Sequence, residues 1–171
     1  MRPGDHVLLL YESDADRDRL LCHFVELQIA KRNYVHCVSL SPNRQIKYFR
    51  KKRSLAAALN NNSLRIPYVS DVFDEGKPHH YFLKIIKEMQ EMSKSKEYHG
   101  WILIGDWVRA YYERYMELLR TEQAEANLSH SGRIVCCYSA QGYSGIKTEI
   151  LSKLLDLHTH VFFPRATFVR S

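Results

Sequence analysis

Six apolar stretches punctuate the chain at regular intervals, and the segments between them carry helical periodicity. The stretches are His6 to Tyr11, Tyr34 to Leu40, Leu64 to Val69, Trp101 to Asp106, Arg133 to Tyr138 and His160 to Val169. Four of them are continuous apolar runs, the pattern of strands buried on both faces, whereas a sheet with one wet face alternates apolar and polar residues. Strand and helix alternate throughout. The fold class is therefore α/β, a three-layer α/β/α sandwich with a mainly parallel sheet and right-handed crossovers.

The helical segments carry their own signals. Ser13 and Asp16 form an S-x-x-D capping signature ahead of Leu20, Leu21, Phe24, Val25 and Ile29. Pro78 opens a second helix through Phe82, Ile85, Ile86 and Met89, a third follows Asp106, and Ser144 to Leu157 forms a fourth with Ile146, Ile150, Leu154 and Leu157 on one face. With 171 residues, no internal repeat and no long linker, the chain reads as one domain, residues 1–171. No apolar run reaches the roughly 18 residues of a membrane span, so no membrane association is expected. The cysteines at 22, 37, 136 and 137 form no C-x-x-C pair and no disulfide framework, which points to a reducing, cytoplasmic setting.

In sheets of this kind ligands bind beyond the carboxyl ends of the strands, which directs attention to Tyr11, Glu12 and Ser13; Ser39 and Ser41; Ser70 and Asp71; Asp106 and Trp107; and Tyr138, Ser139 and Gln141. The connection after the first strand reads YESDADRDR. It has no glycine and no GK[ST], and the carboxylates of Glu12, Asp14 and Asp16 satisfy the helix dipole from within and repel a phosphate. P-loop hydrolysis of ATP is not expected. Asp106 ends the fourth run where a nucleotide hydrolase holds Mg²⁺, but the position equally suits an N-cap, and Trp107 is either a lid or core.

The helix after Asp106 places Val108, Tyr112, Tyr115 and Leu119 on one stripe, and the same spacing continues to Glu122 and Ala126. Glu122 either falls on the buried face, where an ionised carboxylate must be paired, or meets water as the stripe drifts. Cys136 and Cys137 point to opposite faces of the fifth strand and read as buried thiols. Tyr138 at its end either recognises a polar ligand or terminates the strand. His79 and His80 read as a solvated helix start. An H-x-H pair at His158 and His160 without a third ligand nearby in sequence does not make a metal site. No metal ligand, cofactor or catalytic residue is assigned.

The net charge of +6 is concentrated: Arg44, Lys47, Arg50, Lys51, Lys52 and Arg53 occupy ten residues that contain no acid, and the rest of the chain balances. Tyr48 and Phe49 interleave with them. Such a stretch suits a nucleic-acid backbone or an acidic partner, and is equally the composition of a solvated helical face.

GDHVLLLYES resembles the G-D-H-x-x-x-x-Y opening of the MEDS domain (methanogen/methylotroph, DcmR sensory domain). SLRIPYVSDVFDEGKP is similar to that family's third strand and following loop, GWILIGDW to its strand ending in Gly-Asp, RTEQAEANL to its Y-E-x-x-L-N helix, VCCYSAQG to its C-x-Y strand, and LHTHVFF to its H-P-hydrophobic ending. The likeness spans residues 3 to 163, with Thr159 in place of the proline. It implies a RecA/KaiC-like domain that lacks the P-loop and senses small, hydrocarbon-derived ligands. The matching positions are Gly4, Asp5, His6, Tyr11, Gly105, Asp106, Glu122, Cys137 and Tyr138, and a RecA-like strand order makes the first, fifth and fourth strands neighbours.

The resulting expectation is a stand-alone, non-enzymatic sensory domain with a ligand in the strand-end crevice near His6, Tyr11, Glu12, Asp106, Trp107, Glu122, Cys137 and Tyr138. Its output would run through a regulatory protein partner, through homo-oligomerisation, or through the basic patch. The alternatives are a nucleic-acid or acidic-partner binding module using Arg44 to Arg53, and a KaiC-like nucleotide-binding protein.

Overall fold

The computed structural model describes residues 1–68, 78–94, 97–106, 115–128, 132–141 and 146–162. Six strands form one sheet: β1 (His6–Tyr11), β2 (Asn33–Val38), β3 (Leu64–Arg65), β4 (Gly100–Asp106), β5 (Arg133–Ser139) and β6 (His160–Phe162). Their order is β3-β2-β4-β5-β1-β6, and every pairing is parallel. The expected adjacency of β1, β5 and β4 is present. The register places His6 beside Ile134 and Asp106 beside Cys137.

Helices cover both faces, which is why the central strands are apolar runs. On one face α1 (Asp14–Ala30), α2 (Pro42–Phe49) and α3 (Arg53–Asn60) supply Leu21, Val25, Phe49 and Leu55 against Val7, Tyr11, Val35, Ile104 and Cys137. On the other, α4 (Pro78–Ser93), α5 (Tyr115–Leu128) and α6 (Thr148–Asp156) supply Ile86, Met89, Leu118 and Leu154 against Leu8, Leu10, Trp101, Leu103, Cys136 and Tyr138. Trp101 packs so closely on Gly132 that a Cβ at that glycine would fall 2.1 Å from the indole.

The capping expectation at α1 is met: Ser13 Oγ accepts from the Asp16 N–H at 3.1 Å. The helix phase differs from the expected stripe. Leu20 is 36% exposed, and the buried line of α1 runs Arg17, Asp18, Leu21, Cys22, Val25 and Gln28, so an ion pair occupies the upper part of a face that reads as apolar lower down. β3 is shorter than its apolar run, continued by an isolated bridge between Ser39 and Tyr68. Ser70, Asp71, Trp107, Val108, Tyr112, Ser144, the side chains of His79 and His80, and the continuation of the last strand beyond Phe162 lie outside the described residues. No helix among the described residues is long and apolar enough to cross a membrane.

Candidate functional site

Those sequence-derived residues that are described divide between the two faces of the sheet. At the carboxyl end, on the α1 face, the Asp106 carboxylate accepts a hydrogen bond from the Tyr11 hydroxyl at 2.9 Å and from Arg17 Nη1 at 2.7 Å. Arg17 reaches it from the first turn of α1, lies over the Tyr11 ring at 5.6 Å, and donates through Nη2 to Asp18 at 3.0 Å. All four side chains are buried. Burial opposes the guanidinium charge, but Asp106 and Asp18 more than offset this and hold Arg17 protonated. Two residues, Glu12 and Ser13, connect β1 to α1. The buried Arg17–Asp106 ion pair lies next to this short connection. Glu12 is exposed beside it.

Beneath α5, on the opposite face, lies a second polar group. Glu122 is fully buried, as its helix phase suggested, and Glu125 one turn later is buried as well. The burial line of α5 is shifted by one residue from the expected stripe: Leu118, Thr121, Glu122 and Glu125 face inward, while Leu119 and Ala126 are half-buried. Glu122 accepts from the Tyr138 hydroxyl and from the Cys136 thiol, the latter at 3.2 Å. His6 Nε2 lies 3.1 Å from Glu122 Oε2 and 3.2 Å from Cys136 Sγ, and His158 Nε2 lies 3.3 Å from the same Glu122 oxygen. The two imidazoles stack with centroids 4.1 Å apart.

The chain orients this group locally. His6 is the first residue of β1, and Thr159 clamps it: the His6 N–H donates to Thr159 Oγ1 at 3.1 Å, and the Thr159 N–H donates to the His6 carbonyl at 2.7 Å. The adjacent His158 is thereby carried over the strand. Burial would lower the His6 pKa, yet the Glu122 and Glu125 carboxylates reverse this and raise it to about 10. Burial likewise works to raise Glu122, but His158 and His6 hold it well below the usual carboxylate range. Glu125 is raised by burial and by the charge of Glu122. Burial, reinforced by both carboxylates, pushes Cys136 and Tyr138 well above their ordinary values.

Cys137 does not join Glu122 and Tyr138. It points to the α1 face, where burial and Asp106 push its thiol up, and Cys136 takes the position expected of it. The alternation along β5 leaves no other arrangement. Arg17, Asp18, Glu125, Cys136 and His158 are the participants absent from the sequence-derived set. A strict reading of C-x-Y selects Cys136, and an i, i+3 spacing from Glu122 selects Glu125. His6, Glu122, Cys136 and His158 each offer one ligand atom, and the four atoms lie within 4.8 Å of one another.

The basic stretch forms an exposed rim on α2 and at the start of α3. Arg44 pairs with Asp14 at 3.4 Å and Asp18 at 3.1 Å, Lys52 with Glu26 at 3.9 Å, and Lys51 stacks on the Tyr48 ring at 5.2 Å. Lys47, Arg50 and Arg53 are exposed and have no ion-pair partner among the described residues. Arg19, Arg44, Lys47, Tyr48 and Lys51, with Asp16 and Asp18, border a cavity of about 500 Å³ between α1 and α2.

Neither a family model nor a curated protein sequence matches the chain. Solved structures do resemble it. The flagellar accessory protein FlaH from Methanocaldococcus jannaschii superposes with a TM-score of 0.63 at 13% identity, over 94% of this chain and 71% of that one. The ATPase domain of a second protein superposes with a TM-score of 0.66 at 10% identity, over all of this chain and 73% of that one. What the chain shares with them is the fold, a parallel RecA-like α/β sheet with helices on both faces.

Proposed function

We propose that the chain is a non-hydrolytic, small-molecule sensory domain of the MEDS kind built on the RecA-like ATPase scaffold. The observation that carries this reading is the Arg17–Asp106 pair. In a nucleotide hydrolase the strand-end carboxylate must be available to a hydrated Mg²⁺, which binds through one or two carboxylates and the substrate phosphates. Here it is 3% exposed, neutralised by a guanidinium from the chain itself, and tied to Tyr11. The two-residue connection before α1 carries a carboxylate and no glycine. Electrostatics at this point disfavour a triphosphate and suit a weakly charged ligand.

A second reading, nucleotide binding without hydrolysis, is favoured by the fold neighbours and by the cavity between α1 and α2. Four cations, of which Arg19 and Arg44 are paired with Asp16 and Asp18 and Lys47 and Lys51 are not, and the Tyr48 ring around a 500 Å³ space suit a phosphorylated ligand with a base to stack.

A thermal-shift comparison separates the two, because any ligand that prefers the folded state raises Tm by mass action. The purified chain is tested against short alcohols, aldehydes and halomethanes, and against ATP, GTP and cyclic AMP with and without Mg²⁺. A shift with a hydrocarbon derivative that disappears in Tyr11→Phe supports the sensory reading. A shift confined to nucleotides that disappears in Lys47→Glu/Lys51→Glu supports the second. Stabilisation by none of them overturns both.

A further inference from the structure

From the geometry beneath α5 we infer that His6, Glu122, Cys136 and His158 form a closed, four-coordinate binding site for a divalent transition-metal ion of the zinc class. The site is independent of whether the strand ends take a ligand.

The two imidazoles are oriented as metal-bound histidines are. His6 Nδ1 lies 2.9 Å from the Leu157 carbonyl and His158 Nδ1 2.6 Å from the Leu154 carbonyl. A carbonyl only accepts, so both rings carry their hydrogen on Nδ1. Each Nε2 is left as a lone pair or an added proton, and both converge on one Glu122 oxygen. A backbone carbonyl fixing the tautomer of a histidine while its other nitrogen faces a cation is the usual outer-shell arrangement of metal-bound histidine. It occurs twice at one point.

Distances and charge agree. Tetrahedral zinc with bonds of roughly 2.0–2.3 Å has ligand atoms about 3.3–3.8 Å apart. Four of the six separations, 3.1 Å from His6 to Glu122, 3.2 Å from His6 to Cys136, 3.2 Å from Cys136 to Glu122 and 3.3 Å from His158 to Glu122, lie at or just below this range, and the full set spans no more than 4.8 Å, so His158 must draw in toward the other three on binding. On binding, Cys136 gives up its thiol proton, and His6 and His158 any proton on Nε2, all to solvent. One thiolate and one carboxylate then neutralise a divalent ion, which makes complete burial tolerable. The mixed N, S and O donor set suits zinc and disfavours Mg²⁺ or Ca²⁺. Glu125 Oε1, buried with no hydrogen-bond partner among the described residues, lies on the next turn of α5 and marks the same region as one built around a further positive group.

The ligands come from β1, α5, β5 and the turn before β6. An ion there pins α5 and the last strand to the centre of the sheet, the work of a structural site with no open coordination position.

The test uses the full chain, produced in zinc-supplemented medium, with metal content measured and Co²⁺ then substituted as a spectroscopic probe. The expected result is one zinc per chain and a tetrahedral Co²⁺ spectrum with one thiolate-to-metal charge-transfer band. Cys136→Ser should lose that band, and Cys137→Ser, on the other face of the same strand, should retain it. His6→Gln should weaken Co²⁺ affinity by more than about 100-fold, beyond what loss of an outer-shell contact produces. Zinc-edge X-ray absorption of the unmodified chain, expected to show one sulfur and three nitrogen or oxygen neighbours, decides the matter if the variants do not fold. Absence of bound metal, an octahedral Co²⁺ spectrum without a thiolate band, or loss of the band in Cys137→Ser instead of Cys136→Ser would overturn the assignment.

Discussion

Arg17 and Asp106 meet across the carboxyl end of the sheet, Nη1 to Oδ2 at 2.7 Å, both buried. Removing the cation alone strands a buried carboxylate, whereas neutralising both ends does not. Arg17→Met is expected to cost about 3–5 kcal/mol, and adding Asp106→Asn to recover more than about 1 kcal/mol of it. Urea unfolding of the two single variants and the double variant measures this coupling. Additive effects would show that the pair does not close the strand ends.

Gly132 is held by the indole of Trp101. A methyl group placed 2.1 Å from a fully buried ring must push backbone or indole aside, and overpacking of this kind costs about 1–3 kcal/mol or more. Gly132→Ala should lower the urea midpoint clearly, and Gly132→Ala/Trp101→Leu should restore part of it.

His36 on β2 is buried, and burial with the nearby Arg65 pushes its pKa down from 6.5 to about 4. The folded state holds the ring neutral while the unfolded chain takes up a proton below pH 6.5. This contribution is therefore fully present above pH 6.5, declines as pH falls, and is lost by about pH 4. The loss amounts to about 3 kcal/mol. The difference in unfolding free energy between the unmodified chain and His36→Leu, followed from pH 7 to 4, should change by that amount in favour of the variant. A pH-independent difference would contradict it.

The exposed cations make the opposite prediction. Lys47, Arg50 and Arg53 have no ion-pair partner among the described residues, so reversing Lys47 and Arg50 to Glu should change stability by no more than about 0.5 kcal/mol per site. Retention on heparin should nevertheless fall, and its salt dependence flatten. A large loss of stability would mean that the patch is part of the fold and not a free surface.

Much of the fold was legible because its signals are local. The apolar runs of β1, β2, β4 and β5 reveal strands covered on both sides, and Ser13 and Asp16 mark the start of α1 within a few residues. The polar contacts were legible only in part, because they are made between distant segments. Glu122 announced itself by helix phase, but a one-residue shift in that phase determines whether Glu125 faces inward, and no local signal fixes it. Cys136 and Cys137 have equally apolar neighbours, so their faces follow from the sheet order. Arg17 reaches Asp106 only because β5 separates β1 from β4. His158 lies in a turn and arrives over His6 through the hydrogen bonds between Thr159 and His6.

The strand order also sets a timetable. β1 is made first, yet its neighbours in the sheet are β5 and β6, and Arg133 emerges more than 120 residues after Tyr11. At roughly 5–20 residues per second of translation, the apolar sequence HVLLLY waits about 6–25 seconds with both edges unpaired. During synthesis it is a natural client for a chaperone, and a premature stop anywhere before β5 releases a chain whose first strand has nothing to pair with.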